Sequence, residues 1–267
     1  MSMLDANIRS FSDPKQARDD LRLALPEPSL CLNQDEEWCL VECEDGWREI
    51  RFHDYADMYE IPGLYERVFY DILKCNSPAT IRELLAEEVS KAGGSVDELR
   101  VLDLGAGNGM VGEELVDEGA ELAVGVDITP SAKRAAFRDR PEVYADYLIA
   151  DMTDLSDPER HRLKSHVFNC LTCVAALGFG DIPVKAFAES FNLIAQGGWV
   201  AFNIKEDFLN GTDSSGFSRF VHKMIEDGML SVRRHKRYRH RIATSGESLF
   251  YVAIVGIKNR NVLDVSS

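Results

Sequence analysis

The residues best placed to do chemistry lie in "VLDLGAGNGMVGEEL", which begins at Val101. One carboxylate, Asp103, stands just ahead of three glycines, Gly105, Gly107 and Gly109. Val101 and Leu102 read as the end of a buried strand, and Met110 to Leu115 as the start of a helix. Glycines at such a junction let the backbone pass close to another molecule, because no Cβ intervenes. Two nucleotide chemistries compete for the turn. A dinucleotide site needs G-x-G-x-x-G, so that a pyrophosphate rests on the helix N-terminus. Here Met110 stands where the last glycine should be. A carboxylate beside a pyrophosphate is unhelpful. Beside an ammonium group it is useful, directly or through water.

Two more acids follow in order. Asp127 closes the apolar run of "VGVDIT" and Asp151 closes that of "LIADMTD". An isolated Asp at a strand end is more often a cap than a ligand, and Gly109 alone would serve close helix–strand packing. Three acids on three consecutive strands, together with the glycine turn, favour a ligand site over three separate caps.

"VLDLGAGNG" resembles motif I of the class I S-adenosylmethionine-dependent methyltransferases, and the resemblance extends from about Tyr55 to Lys258. It implies S-adenosylmethionine as cofactor and S-adenosylhomocysteine as its product. It also assigns roles. Asp103 would hold the amino group at the methionine end, with Gly105 and Gly107 giving close approach. Asp127 would accept from the ribose hydroxyls, paired donors that suit a carboxylate. Ile128 would pack on the adenine, Asp151 would accept its amino group, and the amide of Met152 would approach a ring nitrogen. After the fourth strand, "NCLTCVAALGFGDIP" would place backbone contacts near Cys173; many members begin this strand with Asp, and this chain has Asn169. Neither the Asn/Asp-Pro-Pro-aromatic tetrapeptide of the amino-directed nucleic-acid enzymes nor the Pro-Cys nucleophile of the cytosine-C5 enzymes is present. That points to a small-molecule acceptor.

Elements must hold these residues in place. From Arg100 onward apolar runs alternate with helical stretches, which implies parallel βαβ units. The predicted fold is α/β: a doubly wound, Rossmann-like sheet of seven mostly parallel strands. A final hairpin adds an antiparallel last strand at one edge. Residues 1–76 read as an N-terminal cap: a polar arm, a hairpin around Asp45-Gly46 in "EEWCLVECEDGWREIRFHDY", and a helix in "IPGLYERVFYDILKC" with Leu64, Val68 and Ile72 on one stripe. Residues 77–267 read as the cofactor-binding core. "HDYADMYEIPGLY" sets Tyr55, Tyr59 and Tyr65 ahead of that core and resembles the Tyr-rich segment that folds over the cofactor's methionine end in small-molecule members, with Tyr59 the best match. The cap is expected to be a mobile lid with few buried contacts. The Gly- and Ser-rich "KEDFLNGTDSSGFS" is expected to overhang the site. His53 and His240 are the candidate bases, although a lone His is more often structural; the catalytic residue is left open.

Composition narrows the partners. The 267 residues carry a formal charge of −15, from 30 Lys and Arg against 45 Asp and Glu, and such a surface repels a polyanion at long range. Bulk nucleic acid is therefore excluded as a partner, and with no long apolar run a membrane is too. The basic run "RRHKRYRHR" from Arg233 reads as a solvated strand face in preference to an anion pocket. Six scattered cysteines without a second pair at ligand spacing read as reduced thiols, with no metal site, in a cytoplasmic protein. Two other readings compete with an enzyme that moves a methyl group by in-line displacement. One is a non-catalytic S-adenosylmethionine-binding sensor or scaffold. The other is a nicotinamide-dependent dehydrogenase, which lacks its third glycine.

Overall fold

The computed structural model describes residues 18–177, 181–206 and 216–263. The cap begins with β1 (Leu23–Ala24), β2 (Trp38–Cys43) and β3 (Gly46–Arg51), an antiparallel sheet in that order. β2 and β3 are the expected hairpin. Cys43 pairs with Gly46, whose φ of +118° is open to glycine alone at no cost. Helix α1 (Tyr55–Glu60) leads to α2 (Leu64–Glu66), which continues as π-helical turns over Arg67–Ile72. The predicted stripe is real: Leu64 and Val68 are wholly buried, packed with Cys39, Ile50, Phe52 and Met58 in a core belonging to the cap itself.

Helix α3 (Ser77–Lys91) starts on Pro78 in its first turn and leads into the main sheet. There follow β4 (Arg100–Leu104), α4 (Met110–Asp117), β5 (Leu122–Asp127), α5 (Pro130–Asp139), β6 (Asp146–Ile149) and α6 (Asp157–Ser165). The chain continues through β7 (Cys170–Cys173), α7 (Val184–Leu193), β8 (Trp199–Lys205), α8 (Phe217–Glu226), β9 (Leu230–Ile242) and β10 (Ser248–Lys258). The seven strands run β6-β5-β4-β7-β8-β10-β9. β4 to β8 are parallel. Helices cover both faces: Phe187, Phe191, Phe217 and Val221 pack one side, and Ile81, Leu85, Val89 and Leu115 the other.

The last strand is antiparallel, as expected, but it is not at the edge. β10 inserts between β8 and β9, antiparallel to both. Its "YVAIVG" is apolar at successive positions and suits burial on both faces. β9 instead exposes Arg233, Arg234, His235, Lys236 and Arg237 and occupies the edge, where charge discourages a further strand from pairing. The solvated face read from sequence holds for those five. It fails at the strand's end, where His240 and Arg241 are buried.

The cap is also less loose than expected. Glu37, fully buried, pairs with the Arg241 guanidinium at the end of β9. Gln34 donates to the Tyr251 hydroxyl at 2.8 Å. Glu66 accepts from Arg140 at 2.8 Å and from Asn108 at 2.8 Å, tying α2 to the glycine turn. The expectation of few buried contacts is thus not met. Burying Glu37 and Glu66 requires partners, and the sheet supplies them. Among the described residues no helix is long and apolar enough to cross a membrane.

Candidate functional site

β4 is flanked by β5 on one side and β7 on the other, so the chain reverses direction across the sheet at this point. Ligands of open α/β sheets bind beyond the carboxyl ends of the strands at such a crevice. A cavity of about 260 Å³ lies there. Six of the nine residues that the resemblance assigned to the cofactor line it: Gly105, Asp127, Ile128, Asp151, Met152 and Tyr59.

Asp127 is the last residue of β5. Its two oxygens accept the amide N–H of Gly107 at 2.9 Å and of Thr129 at 2.8 Å. Burial pushes its pKa up, and these amide bonds oppose the shift. The Thr129 side chain and the Ile128 amide also bond to this carboxylate, so it is held from several sides. Ile128 is 63% exposed although apolar, a side chain presented at the cavity wall. Asp151 accepts from the Thr153 amide at 2.8 Å, which lowers its pKa, so it caps its own turn as well as lining the cavity. Gly105, at φ +70°, lies under Ile182 and Ala176: a Cβ there would come within 3.1 Å of one and 3.2 Å of the other.

Three residues fall elsewhere. Asp103 does not line the cavity. It pairs with Gly125 and Thr172 inside the β ladder, and strand alternation turns it away from the face of Leu104, which does line the cavity. Its carboxylate accepts from the Tyr144 hydroxyl at 2.6 Å and from Thr172 Oγ1 at 2.7 Å, and burial pushes its pKa up to about 6. It braces β4 against β7. Gly107 is covered by the cap: a Cβ there would lie 2.5 Å from the Tyr59 hydroxyl oxygen. Its close approach in this structure is to Tyr59. Cys173 is fully buried and its thiol pKa is pushed up by desolvation. β7 ends there, and the wall is made by the next three residues, Val174, Ala175 and Ala176.

The tyrosines gather as the sequence suggested. Tyr55, Tyr59 and Tyr65 all line the cavity, with ring centroids 6.1 Å apart for the first pair and 5.1 Å for the second. Arg138 donates to the Tyr59 carbonyl at 3.1 Å and Tyr59 packs on Ala132 and Ala135, fixing α1 against α5. Burial holds the Tyr59 hydroxyl well above its usual pKa, so it stays protonated. Of the two histidines, His240 is buried behind the wall, stacked 4.1 Å from Tyr251. Desolvation and Arg241 drive its pKa well down, and it does not line the cavity. His53 sits in the cap with Nδ1 4.0 Å from Asp181. Asp181, which the sequence reading passed over, lines the cavity; burial raises its pKa and His53 opposes that. Its only sequence signal is the "GDIP" turn after β7. The expected overhanging loop falls largely on residues 207–215, outside those described.

Residues 102–202 match the family described as "Methyltransferase domain". That span carries the glycine turn, all three acids and the strands from β4 into β8. This match and the curated relatives below support a class I S-adenosylmethionine-dependent methyltransferase. Among curated relatives, a ubiquinone biosynthesis O-methyltransferase of Alkalilimnicola ehrlichii is 26% identical over 132 residues, 49% of this chain and 51% of that protein. A demethylmenaquinone methyltransferase of Renibacterium salmoninarum is 27% identical over 147 residues, 55% of this chain and 54% of that protein. The chain thus spans about half the length of the curated relatives it matches. A solved structure of a candidate RNA methyltransferase from Pyrococcus horikoshii superposes with a TM-score of 0.51 at 14% identity, covering 70% of this chain and 88% of that one. That likeness concerns the fold. S-adenosylmethionine is the family's cofactor. The wall suits it, with three carboxylates, one exposed aliphatic side chain and a glycine turn under a small, mostly apolar cavity.

Proposed function

We propose that this methyltransferase moves the methyl group of S-adenosylmethionine to a small-molecule acceptor, a quinone-type ring like those in the names of its curated relatives. The observation that supports this most is one wall that joins Asp127, Ile128, Asp151 and Met152 to three cap tyrosines. Asp127 offers its carboxylate to the ribose hydroxyls, while its amide bonds to Gly107 and Thr129 keep it aimed. Ile128 packs on the adenine. Asp151 accepts the adenine amino group and the Met152 amide meets the ring. When bound, the cofactor supplies an already activated sulfonium methyl, so the protein's task is to orient an acceptor in line and exclude water. Tyr55 and Tyr65 supply aromatic faces for a ring. Asp181 is the acidic group at this tyrosine-lined end, placed to accept a hydrogen bond from an acceptor hydroxyl. The charge of −15 supports a small acceptor over a nucleic acid.

The test is a metabolite and short-chain quinol screen with methyl-labelled S-adenosylmethionine, reading which compound gains label. Label on a quinol or related ring is the expected result. Cofactor binding without label on any compound would favour the sensor or scaffold reading.

A further inference from the structure

Ala175 forms part of the cavity wall just beyond β7. Its φ is +57°, a conformation that non-glycine residues rarely adopt and that persists only where neighbours impose it. One side chain holds it there. Asn203, fully buried in β8, accepts the Ala175 amide N–H on Oδ1 at 2.6 Å. The other end of Asn203 is fixed as well: Nδ2 donates to the Tyr238 hydroxyl oxygen at 2.6 Å. That leaves the Tyr238 proton free to go to Ser77 Oγ at 2.7 Å, and the Ser77 proton to His240 Nδ1 at 2.6 Å. These directions run unbroken through all four groups when His240 is neutral with its proton on Nε2. The chain starts where cap meets core: the Asn76 amide donates to the His240 carbonyl at 2.9 Å, and the Ile242 amide to the Leu73 carbonyl at 2.7 Å.

We propose that Asn203 is the positioning residue of the cofactor wall, holding Ala175 in its strained conformation through the Oδ1 bond and locked in turn by Tyr238, Ser77 and His240. The inference rests on the cofactor site proposed above. Asn203 touches no ligand. It acts through the Ala175 backbone, and the relay makes the wall's shape depend on the seating of the cap. A side chain that merely filled the core would not need an amide oriented at both ends.

The test is calorimetry with S-adenosylhomocysteine on wild type, Asn203→Ala and Asn203→Asp. Ala removes the acceptor for the Ala175 amide. Asp restores that acceptor and takes the Tyr238 hydroxyl as donor. Loss of one buried backbone bond and relaxation of the wall should weaken binding by about tenfold or more in Asn203→Ala, and Asn203→Asp should return to within about threefold of wild type. Wild-type affinity in Asn203→Ala, or an Asp variant no better than Ala, overturns the proposal. Because a buried Ala could prevent folding, amide hydrogen exchange on wild type gives a second reading. The Ala175 amide should exchange far more slowly than an open loop amide, and free exchange would also overturn it. A wild-type protein that takes no S-adenosylhomocysteine would instead remove the cofactor site itself.

Discussion

Position within the β ladder separates the three acids. Asp127 is the last residue of β5 and Asp151 lies beyond the end of β6, so both are free to face the crevice. Asp103 is one residue inside β4 and faces the opposite side. The sequence made all three visible as acids on successive strands. It did not distinguish them, because the side that becomes the crevice depends on later strands. Asp127→Ala is therefore expected to weaken S-adenosylhomocysteine binding by more than about tenfold, since a hydrogen bond to a charged group contributes about 1.5–3 kcal/mol. Calorimetry checks this, and an unchanged dissociation constant would leave Asp127 as a strand-end cap. Asp103 calls for a different measurement. Its folded pKa of about 6 lies above the ordinary carboxylate value, so the folded state binds more protons than the unfolded state between those values. The contribution is fully present below the unfolded pKa and is lost as pH rises toward 6. At 1.36 kcal/mol per unit the loss is at most about 3 kcal/mol. Denaturant melts of wild type and Asp103→Asn across that window should differ in slope, the variant lacking this decline; parallel curves would remove the assignment.

Elements were legible where they repeat a strong period and obscure where they are short or set by partners. The runs that became β4, β5 and β8 and the stripe of α2 were readable from apolar spacing. β1 has two residues and pairs only because Val41 and Leu40 lie beside it, which no local pattern announces. β7 is shorter than its apolar run, since Val167 takes φ +51° and Asn169 spends its side chain on Arg100 and Glu98. The cap's attachment was not legible at all, because no local pattern marks Glu37 and Glu66 for burial against arginines far along the chain. Removing one partner of such a pair strands the other, at about 3–5 kcal/mol. Glu37→Gln should lower unfolding free energy on that scale, and a loss near zero would show the pair to be solvated. The same packing reverses the mobile-lid expectation for the sheet of the cap. Amides of β2 and β3 should be slow to exchange without any ligand, and rapid exchange that slows only on ligand addition would restore the lid. Deletion through Tyr65 should cost the fold of the core, because Arg241 would lose its carboxylate.

At the scale of the whole molecule, a −15 surface carries one basic edge strand, and the crevice lies where cap and sheet meet. The three tyrosines come from the cap, and the acids and wall come from the sheet. Neither part lines the crevice alone, and motif I lies in the sheet at β4, far in sequence from both the cap tyrosines and Asp181. The central claim is that this crevice holds S-adenosylmethionine and its demethylated product. Isothermal calorimetry of the full chain with S-adenosylhomocysteine tests it most directly. The account predicts one site with a dissociation constant in the micromolar range, about −8 kcal/mol, competed by S-adenosylmethionine and lost in Asp127→Ala. A folded protein giving neither heat nor competition with either compound would contradict it.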